Sequence, residues 1–228
     1  CFTTDLLRRC PSLADCFVVA ATPGSPESGM WVEKRIATGT QLIFQPEGDL
    51  GARIEWFFRT MQVQLTDNMA KPRIVLIGSD SPDLPAELIA SAFEMLASTD
   101  VVFAPANDGG FVLVGLSCPG DQIFRQTRWS SESALADTRR SAIAAGRSVH
   151  LLPSWYDIDS VEDLTILETN LTKSAASGAE SSCCPLTEGF LRQSLFREES
   201  GFCRLVKDYP VKLQALKFDV EQQSPSVQ

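Results

Sequence analysis

Residues 74–84, with the sequence IVLIGSDSPDL, decide how this chain folds. The first four side chains are apolar and would face both sides of a strand, a pattern typical of a central parallel strand. Gly78 and Ser79 then end the strand, and Asp80 and Asp83 follow at once. In an open α/β sheet, ligands bind beyond the carboxyl ends of parallel strands. We therefore expect a binding site around Asp80.

Strands and helices alternate on both sides of this stretch. Apolar runs predict further strands at residues 17–21, 41–45, 101–104, 111–114 and 149–152. Apolar side chains at helical spacing predict helices at residues 50–65, 88–96 and 131–145, and another that begins near residue 160. Residues 107–110, NDGG, are typical of a hairpin turn between two of the strands. The alternation predicts a layered α/β fold with a mostly parallel sheet.

The chain divides by composition into three parts. Residues 1–171 carry the α/β pattern, residues 172–182 are rich in Ser, Ala and Gly and are interpreted as a linker, and residues 183–228 form an appendage of unknown role. The appendage contains a predicted helix near residues 187–198 and an alternating, strand-like run at 211–220. The first residues resemble the end of a helix, so we interpret the chain as a fragment or a processed form whose targeting segment would lie upstream.

Charge and cysteine content exclude several classes of protein. The 228 residues carry a net charge of -9, which disfavours a nucleic-acid partner. No apolar run is long enough to cross a bilayer. The seven cysteines form no C-x-x-C pair, which favours a reducing compartment and a cytoplasmic location over a disulfide framework or a zinc site. The adjacent pair Cys183 and Cys184 is interpreted as inert.

Three acidic clusters follow predicted strands. They are Asp80 with Asp83, then Asp108, and then Asp157 with Asp159. Carboxylates gathered in one crevice suit a hard divalent cation, here Mg²⁺ or Mn²⁺, which could hold the diphosphate of a nucleotide. Each cluster also has a structural interpretation, because Asp83 suits a helix N-cap and Asp108 suits a tight turn. Their shared position at strand ends favours a site.

Other motifs point less strongly to chemistry. Residues 48–51, GDLG, open a predicted helix whose backbone N–H groups could face phosphate or sugar, although an ordinary capped helix start would look the same. Arg53 lies one turn further and could reach a phosphate. His150 is the only histidine and suits a structural role in a strand, which disfavours a histidine-centred triad. Asp163 fits a capping box with Ser160. The sequence contains no phosphate-binding P-loop and no G-x-G-x-x-G fingerprint.

Several stretches, in the same order, resemble one protein family. They are residues 45–53 (QPEGDLGAR), 77–84 (IGSDSPDL), 104–111 (APANDGGF), 129–130 (WS) and 155–164 (WYDIDSVEDL). By these motifs, residues 1–170 are similar to the DUF2064 family of GT-A-like glycosyltransferases, in the nucleotide-diphospho-sugar transferase superfamily. Members of that family begin with a strand and a nucleotide-binding loop, which this sequence is interpreted as lacking.

The resemblance implies a GT-A-type three-layer α/β/α sandwich and a set of site residues. Asp80 would bind the metal ion and take part in catalysis, Asp157 and Asp159 would complete the metal site, and Asp108 would orient the acceptor or act as a base. Contacts to nucleotide or substrate are expected from Gly48, Asp49, Gly51, Arg53, Ser79, Asp83, Gly109, Gly110, Trp129 and Ser130.

The function implied is that of a metal-dependent transferase with a nucleotide donor, which transfers a glycosyl group from a nucleotide-diphospho-sugar. One alternative is a nucleotidyltransferase that acts on a phosphorylated small molecule. Another is a binding module that keeps the fold without catalysis. The expected partners are a nucleotide-sugar or nucleoside triphosphate and a small-molecule acceptor. The metal-site interpretation requires Asp80 and Asp159 to lie close enough to share one ion.

Overall fold

A computed structural model describes residues 1–66, 71–120, 122–176 and 182–195. The strands are β1 (Val18–Ala21), β2 (Gln41–Phe44), β3 (Ile74–Ile77), β4 (Val101–Pro105), β5 (Phe111–Leu116) and β6 (Val149–Leu151). The helices are α1 (Phe2–Arg9), α2 (Pro26–Glu33), α3 (Leu50–Thr66), α4 (Ala86–Met95), α5 (Ala134–Ala144), α6 (Val161–Ala176) and α7 (Pro185–Leu195), with a short 3-10 helix at Cys10–Leu13. Within these described ranges, every helix is too short or too polar to cross a bilayer.

The strands form two sheets that are only partly parallel. β1 and β2 pair in parallel, and a second sheet has the order β3-β5-β4-β6. β4 and β6 are parallel, whereas β5 runs antiparallel to both β3 and β4. The α/β class is therefore confirmed, and so is the hairpin predicted around residues 107–110.

The expectation that residues 74–77 form a central parallel strand was wrong for the described chain. β3 lies at one end of the second sheet and pairs antiparallel with β5. It is apolar throughout because both of its faces are covered. Val75 and Ile77 pack into one hydrophobic cluster, and Ile74 and Leu76 pack into another on the opposite face. A strand that is apolar on both faces is therefore covered by a layer on each side. The same pattern does not tell whether the strand is central or at the end of its sheet.

Helices cover the second sheet on both sides and produce three layers. On one face, α4 packs with α1 against Val102 and Ala104 of β4. On the other face, α3 and α5 pack against Val101 and Phe103 of the same strand. Successive side chains of a strand point to opposite faces, so this alternation divides the core into two. The predicted α/β/α sandwich is confirmed.

Helix α7 packs against α1, which lies at the other end of the sequence. Asp5 of α1 is buried, and its carboxylate accepts hydrogen bonds from the backbone N–H groups of Leu186 at 3.1 Å and Thr187 at 2.8 Å. This carboxylate caps the first turn of α7 in place of a local side chain. Helix α6 continues to Ala176, so residues 172–176 are helical where a linker was expected. The strand-like run at 211–220 lies outside the described residues, and the division of the chain into domains stays a prediction.

Candidate functional site

Three loops meet at one edge of the second sheet. β3 and β4 are both antiparallel to β5, and β4 is parallel to β6, so β3, β4 and β6 all run in the same direction. Their carboxyl ends therefore share one edge. The loop after β3 carries Asp80, the loop after β4 carries Asp108, and the segment after β6 carries Asp157 and Asp159. The sequence prediction that these strand ends converge is in accord with the topology.

Three of the four carboxylates form a tight group, hereafter the acidic trio. One oxygen each from Asp108, Asp157 and Asp159 lies within 4.8 Å of the others. Asp80 is not a member of this group, although the charge of Asp157 acts on Asp80 and the charge of Asp80 acts on Asp159. The sequence expectation combined Asp80 with Asp157 and Asp159. The structure instead brings Asp108 into the closest set and leaves Asp80 beside it.

Burial and the charges of neighbouring aspartates raise the pKa of three carboxyl groups at this edge, those of Asp157, Asp159 and Asp80. For Asp157, partial burial and the neighbouring charges of Asp108 and Asp159 raise the pKa to about 6. Burial is also the main cause that raises the pKa of Asp159 and of Asp80, and nearby aspartates add to it in each case. Groups in this state favour a proton or a bound cation, because either one removes the repulsion.

Two hydrogen bonds tie the loop after β3 to the segment after β6. The hydroxyl of Ser81 donates to the backbone oxygen of Tyr156 at 2.9 Å. The backbone N–H of Ile158 donates to the backbone oxygen of Asp80 at 3.1 Å. Ile158 lies between Asp157 and Asp159, so this contact fixes the segment that bears two of the trio relative to Asp80.

Asp83 adds a buried connection between the loop after β3 and the segment after β6. It is buried, and its carboxylate accepts hydrogen bonds from the hydroxyl of Tyr156 and, at 3.4 Å, from the indole Nε1 of Trp155. Asn170 of α6 in turn donates to the Tyr156 hydroxyl at 3.2 Å. The structure thus places the Asp83 carboxylate in a buried network. A contact between Asp83 and substrate stays a prediction, and Tyr156 is a site-supporting residue that the sequence reasoning missed.

Two glycines shape the turn that presents Asp108. Gly110 donates its N–H to Asp108 Oδ1 at 2.8 Å, so the tight-turn interpretation holds alongside the site interpretation. Gly109 has φ +90, and a Cβ there would lie 2.1 Å from the backbone oxygen of Glu132. Gly109 also accepts a backbone hydrogen bond from Leu135 at 3.0 Å, which anchors the turn to α5. Any side chain at Gly109 would displace this turn.

The start of α3 packs against the loop that carries Trp129. The Asp49 carboxylate accepts the N–H of Ala52 at 2.8 Å, so Asp49 caps the helix, which is the structural alternative raised from the sequence. A Cβ at Gly51 would lie 2.4 Å from Trp129 Nε1, so glycine permits this close packing. Trp129 also meets the ring of Phe111 edge-on at 6.1 Å between centroids, next to the Asp108 turn. Of the other residues predicted to contact nucleotide or substrate, Gly48 and Ser130 have positive φ and Ser79 is half-buried, and their contacts stay predictions.

Arg53 retains an unused donor in this region. Its Nε is buried and has no hydrogen-bond partner among the residues the structure describes. Buried N–H groups are nearly always paired in folded proteins. A phosphate or carboxylate ligand would satisfy this one, and the phosphate contact of Arg53 stays a prediction.

At the N-terminus of α6, Asp163 caps the helix start. Its carboxylate accepts the backbone N–H of Ser160 at 2.9 Å, while its own N–H donates to the Ser160 hydroxyl at 3.3 Å. The predicted capping box is confirmed. The same carboxylate accepts the backbone N–H of Asp159 at 3.2 Å, so the cap also holds one member of the trio in place.

Comparison with known proteins identifies relatives of the chain. Residues 6–131 match the model of a family described as "Uncharacterized protein conserved in bacteria (DUF2064)". A crystal structure of a protein from Desulfovibrio desulfuricans G20, provisionally identified as a nucleotide-diphospho-sugar transferase, is 28% identical with a TM-score of 0.70, covering 90% of this chain and 83% of that one. No curated protein matches the sequence.

A second solved structure shares the fold at lower similarity. It is that of 4-diphosphocytidyl-2C-methyl-D-erythritol synthase, which is 10% identical with a TM-score of 0.50, covering 73% of this chain and 87% of that chain. At this identity the likeness concerns the fold alone.

Proposed function

Because this chain belongs to the DUF2064 family, we propose that it is a metal-dependent transferase that uses a nucleotide donor and transfers a glycosyl group from a nucleotide-diphospho-sugar to a small-molecule acceptor. The acidic trio carries this proposal, since its three carboxylates converge at the sheet edge where ligands of α/β proteins bind. The structural relative from Desulfovibrio desulfuricans supports the same class of substrate.

The trio suits Mg²⁺ or Mn²⁺. It offers only oxygen ligands, which hard divalent cations prefer, and its members repel one another without a counter-charge. A bound divalent ion would neutralise charge on the donor diphosphate. Asp108, Asp157 and Asp159 would hold the ion, and an acidic protein would in this way bind an acidic substrate.

Asp80 is then the neighbouring carboxylate available for proton transfer. Burial raises its pKa, and a base is most effective when its pKa lies closer to the working pH. In this proposal Asp80 accepts the proton of the acceptor hydroxyl, the role first considered for Asp108. The donor nucleotide and sugar would lie toward Trp129 and the start of α3, where Arg53 Nε is buried without a partner among the described residues.

Product analysis separates the proposed reaction from its alternative. The chain is incubated with Mg²⁺ or Mn²⁺ and either a set of nucleotide-diphospho-sugars or a set of nucleoside triphosphates with phosphorylated small molecules. Release of nucleoside diphosphate from the first set supports glycosyl transfer. Release of pyrophosphate from the second set would instead indicate nucleotidyl transfer. Turnover of neither set, with nucleotide binding retained, would indicate a binding module.

Calorimetric titration with Mn²⁺ tests the site itself. Asp159→Asn should weaken Mn²⁺ binding at least tenfold, and Asp80→Asn should weaken it less, because Asp80 lies outside the trio. Asp15→Asn is the matched control, since Asp15 is an exposed aspartate on the segment before β1. If Asp159→Asn binds Mn²⁺ as tightly as the parent chain, the metal-site proposal is wrong.

A further inference from the structure

Two thiols lie side by side at the N-terminus of α7. The sulfur atoms of Cys183 and Cys184 are 3.9 Å apart, within hydrogen-bond distance for sulfur. Cys184 is fully buried and packs with Tyr156 and Leu191, whereas Cys183 is exposed. One thiol of the pair is therefore accessible to a reagent, and the other supports it from within the core.

The exposed thiol borders a positively charged cavity. The cavity has a volume of about 290 Å³ and is lined by Asp5, Arg8, Arg9, Ser182, Cys183 and Pro185. The carboxylate of Asp5 is already engaged with the N–H groups of α7. Two arginines consequently set the charge that an incoming molecule meets, which favours a ligand with carboxylate groups.

The surroundings of Cys183 stabilise its thiolate form. Its hydrogen bond with Cys184 is the largest cause that lowers its pKa, to about 7, and Arg9 adds to the effect. Burial and the charge of Asp83 act in the opposite direction. In the neutral pair Cys183 donates its S–H to Cys184. The pairing raises the pKa of Cys184, so once Cys183 is ionised Cys184 stays a neutral thiol and its S–H becomes the donor. Thiolates near a helix N-terminus and cationic side chains are the reactive ones.

We propose that Cys183 is a modification site that undergoes thiol–disulfide exchange with small disulfides bearing carboxylates, of which glutathione disulfide is the probe. The Cys183 thiolate attacks one sulfur of the disulfide, a new S–S bond forms to Cys183, and the original S–S bond breaks. The departing thiolate takes a proton from water, so the disulfide itself is the oxidant. Arg8 and Arg9 attract the carboxylates, and the hydrogen bond from Cys184 stabilises the attacking thiolate. This site is independent of the proposed transferase activity.

Peptide mapping by mass spectrometry after treatment of the full chain with glutathione disulfide tests the proposal. We expect the mixed disulfide at Cys183 to form at least fivefold faster than at Cys16, an exposed cysteine that does not line the cavity. Cys183→Ser should remove that adduct, and Cys16→Ser should keep it. Equal rates at the two cysteines in the parent chain would overturn the proposal, whatever the folding of the variants.

A charge variant tests the choice of ligand. Arg8→Gln should slow exchange with glutathione disulfide severalfold and leave exchange with the neutral reagent hydroxyethyl disulfide unchanged. In the parent chain, alkylation of Cys183 by iodoacetamide should reach half its maximal rate near pH 7, as the lowered pKa requires. An Arg8→Gln chain that reacts with glutathione disulfide as fast as the parent would refute the preference for carboxylates.

Discussion

Replacement of Asp157 by Asn should stabilise the metal-free protein. In the folded chain the pKa of Asp157 is about 6, against about 3.9 for an aspartate in an unfolded chain. A difference of roughly two units corresponds to about 3 kcal/mol if the group were fully buried. Asp157 is only half-buried, so solvent screening reduces the expected gain to about 1 kcal/mol.

The sign of this effect depends on pH. Because folding raises the pKa of Asp157, the ionised carboxylate destabilises the folded state, and the full penalty is present above about pH 6. It declines as the pH falls and disappears below about pH 4, where the carboxyl group is protonated in both states. The advantage of Asp157→Asn should therefore be complete at neutral pH and absent in acid.

Urea denaturation in EDTA, at neutral and at acidic pH, measures the difference in free energy of unfolding between variant and parent. In thermal denaturation, a gain of about 1 kcal/mol corresponds to a melting temperature higher by about 2–4 °C for a chain of this size. With Mn²⁺ added in excess of EDTA, the parent should become the more stable of the two chains. Mn²⁺ at a hundredfold excess over its dissociation constant stabilises the parent by about 2.7 kcal/mol. The Asp15→Asn control should match the parent throughout. A variant that is less stable than the parent at neutral pH in EDTA would refute the repulsion argument.

Three further substitutions test individual contacts. Gly51→Ala should cost about 1–3 kcal/mol, because the new Cβ would lie 2.4 Å from Trp129 Nε1, and a shift in tryptophan fluorescence would report the displaced ring. Tyr156→Phe leaves the buried Asp83 carboxylate without its main donor and should cost about 1–3 kcal/mol in urea denaturation, whereas an unchanged midpoint would mean that water replaces the hydroxyl. Asp5→Ala removes the cap of α7 and should cost about 1–2 kcal/mol, with faster cleavage in α7 under limited proteolysis, and unchanged cleavage would contradict the capping role.

Local patterns in the sequence predicted the parts of the fold that depend on neighbouring residues. The capping box of Ser160 and Asp163 was predictable because both partners lie within four residues of each other. The hairpin around residues 107–110 was predictable because its turn residues lie between two apolar runs. The alternative interpretation of Asp49 as a helix cap was likewise visible in the sequence and is what the structure shows.

The membership of the acidic trio was not predictable from local pattern. All four aspartates follow strand ends, and only the loop backbone decides which of them approach most closely. The turn that bears Asp108 is directed by Gly109, whose contact with Leu135 joins segments that are distant in sequence. The cap that Asp5 provides for α7 joins residues 182 positions apart, so no local sequence pattern predicts it.

From the place of the antiparallel strand β5 beside β4, we expect a particular order of assembly. β4 ends at Pro105 and β5 begins at Phe111, so a short loop joins the two middle strands of the second sheet, whereas β6 must return to β4 over a much longer stretch. Short loops close with a smaller entropy cost, so the hairpin should nucleate this sheet. Pulse-labelled hydrogen exchange during refolding should protect β4 and β5 before β6. Asp157 and Asp159 would then reach Asp108 only after most of the core has formed, which postpones their electrostatic repulsion to a late stage of folding.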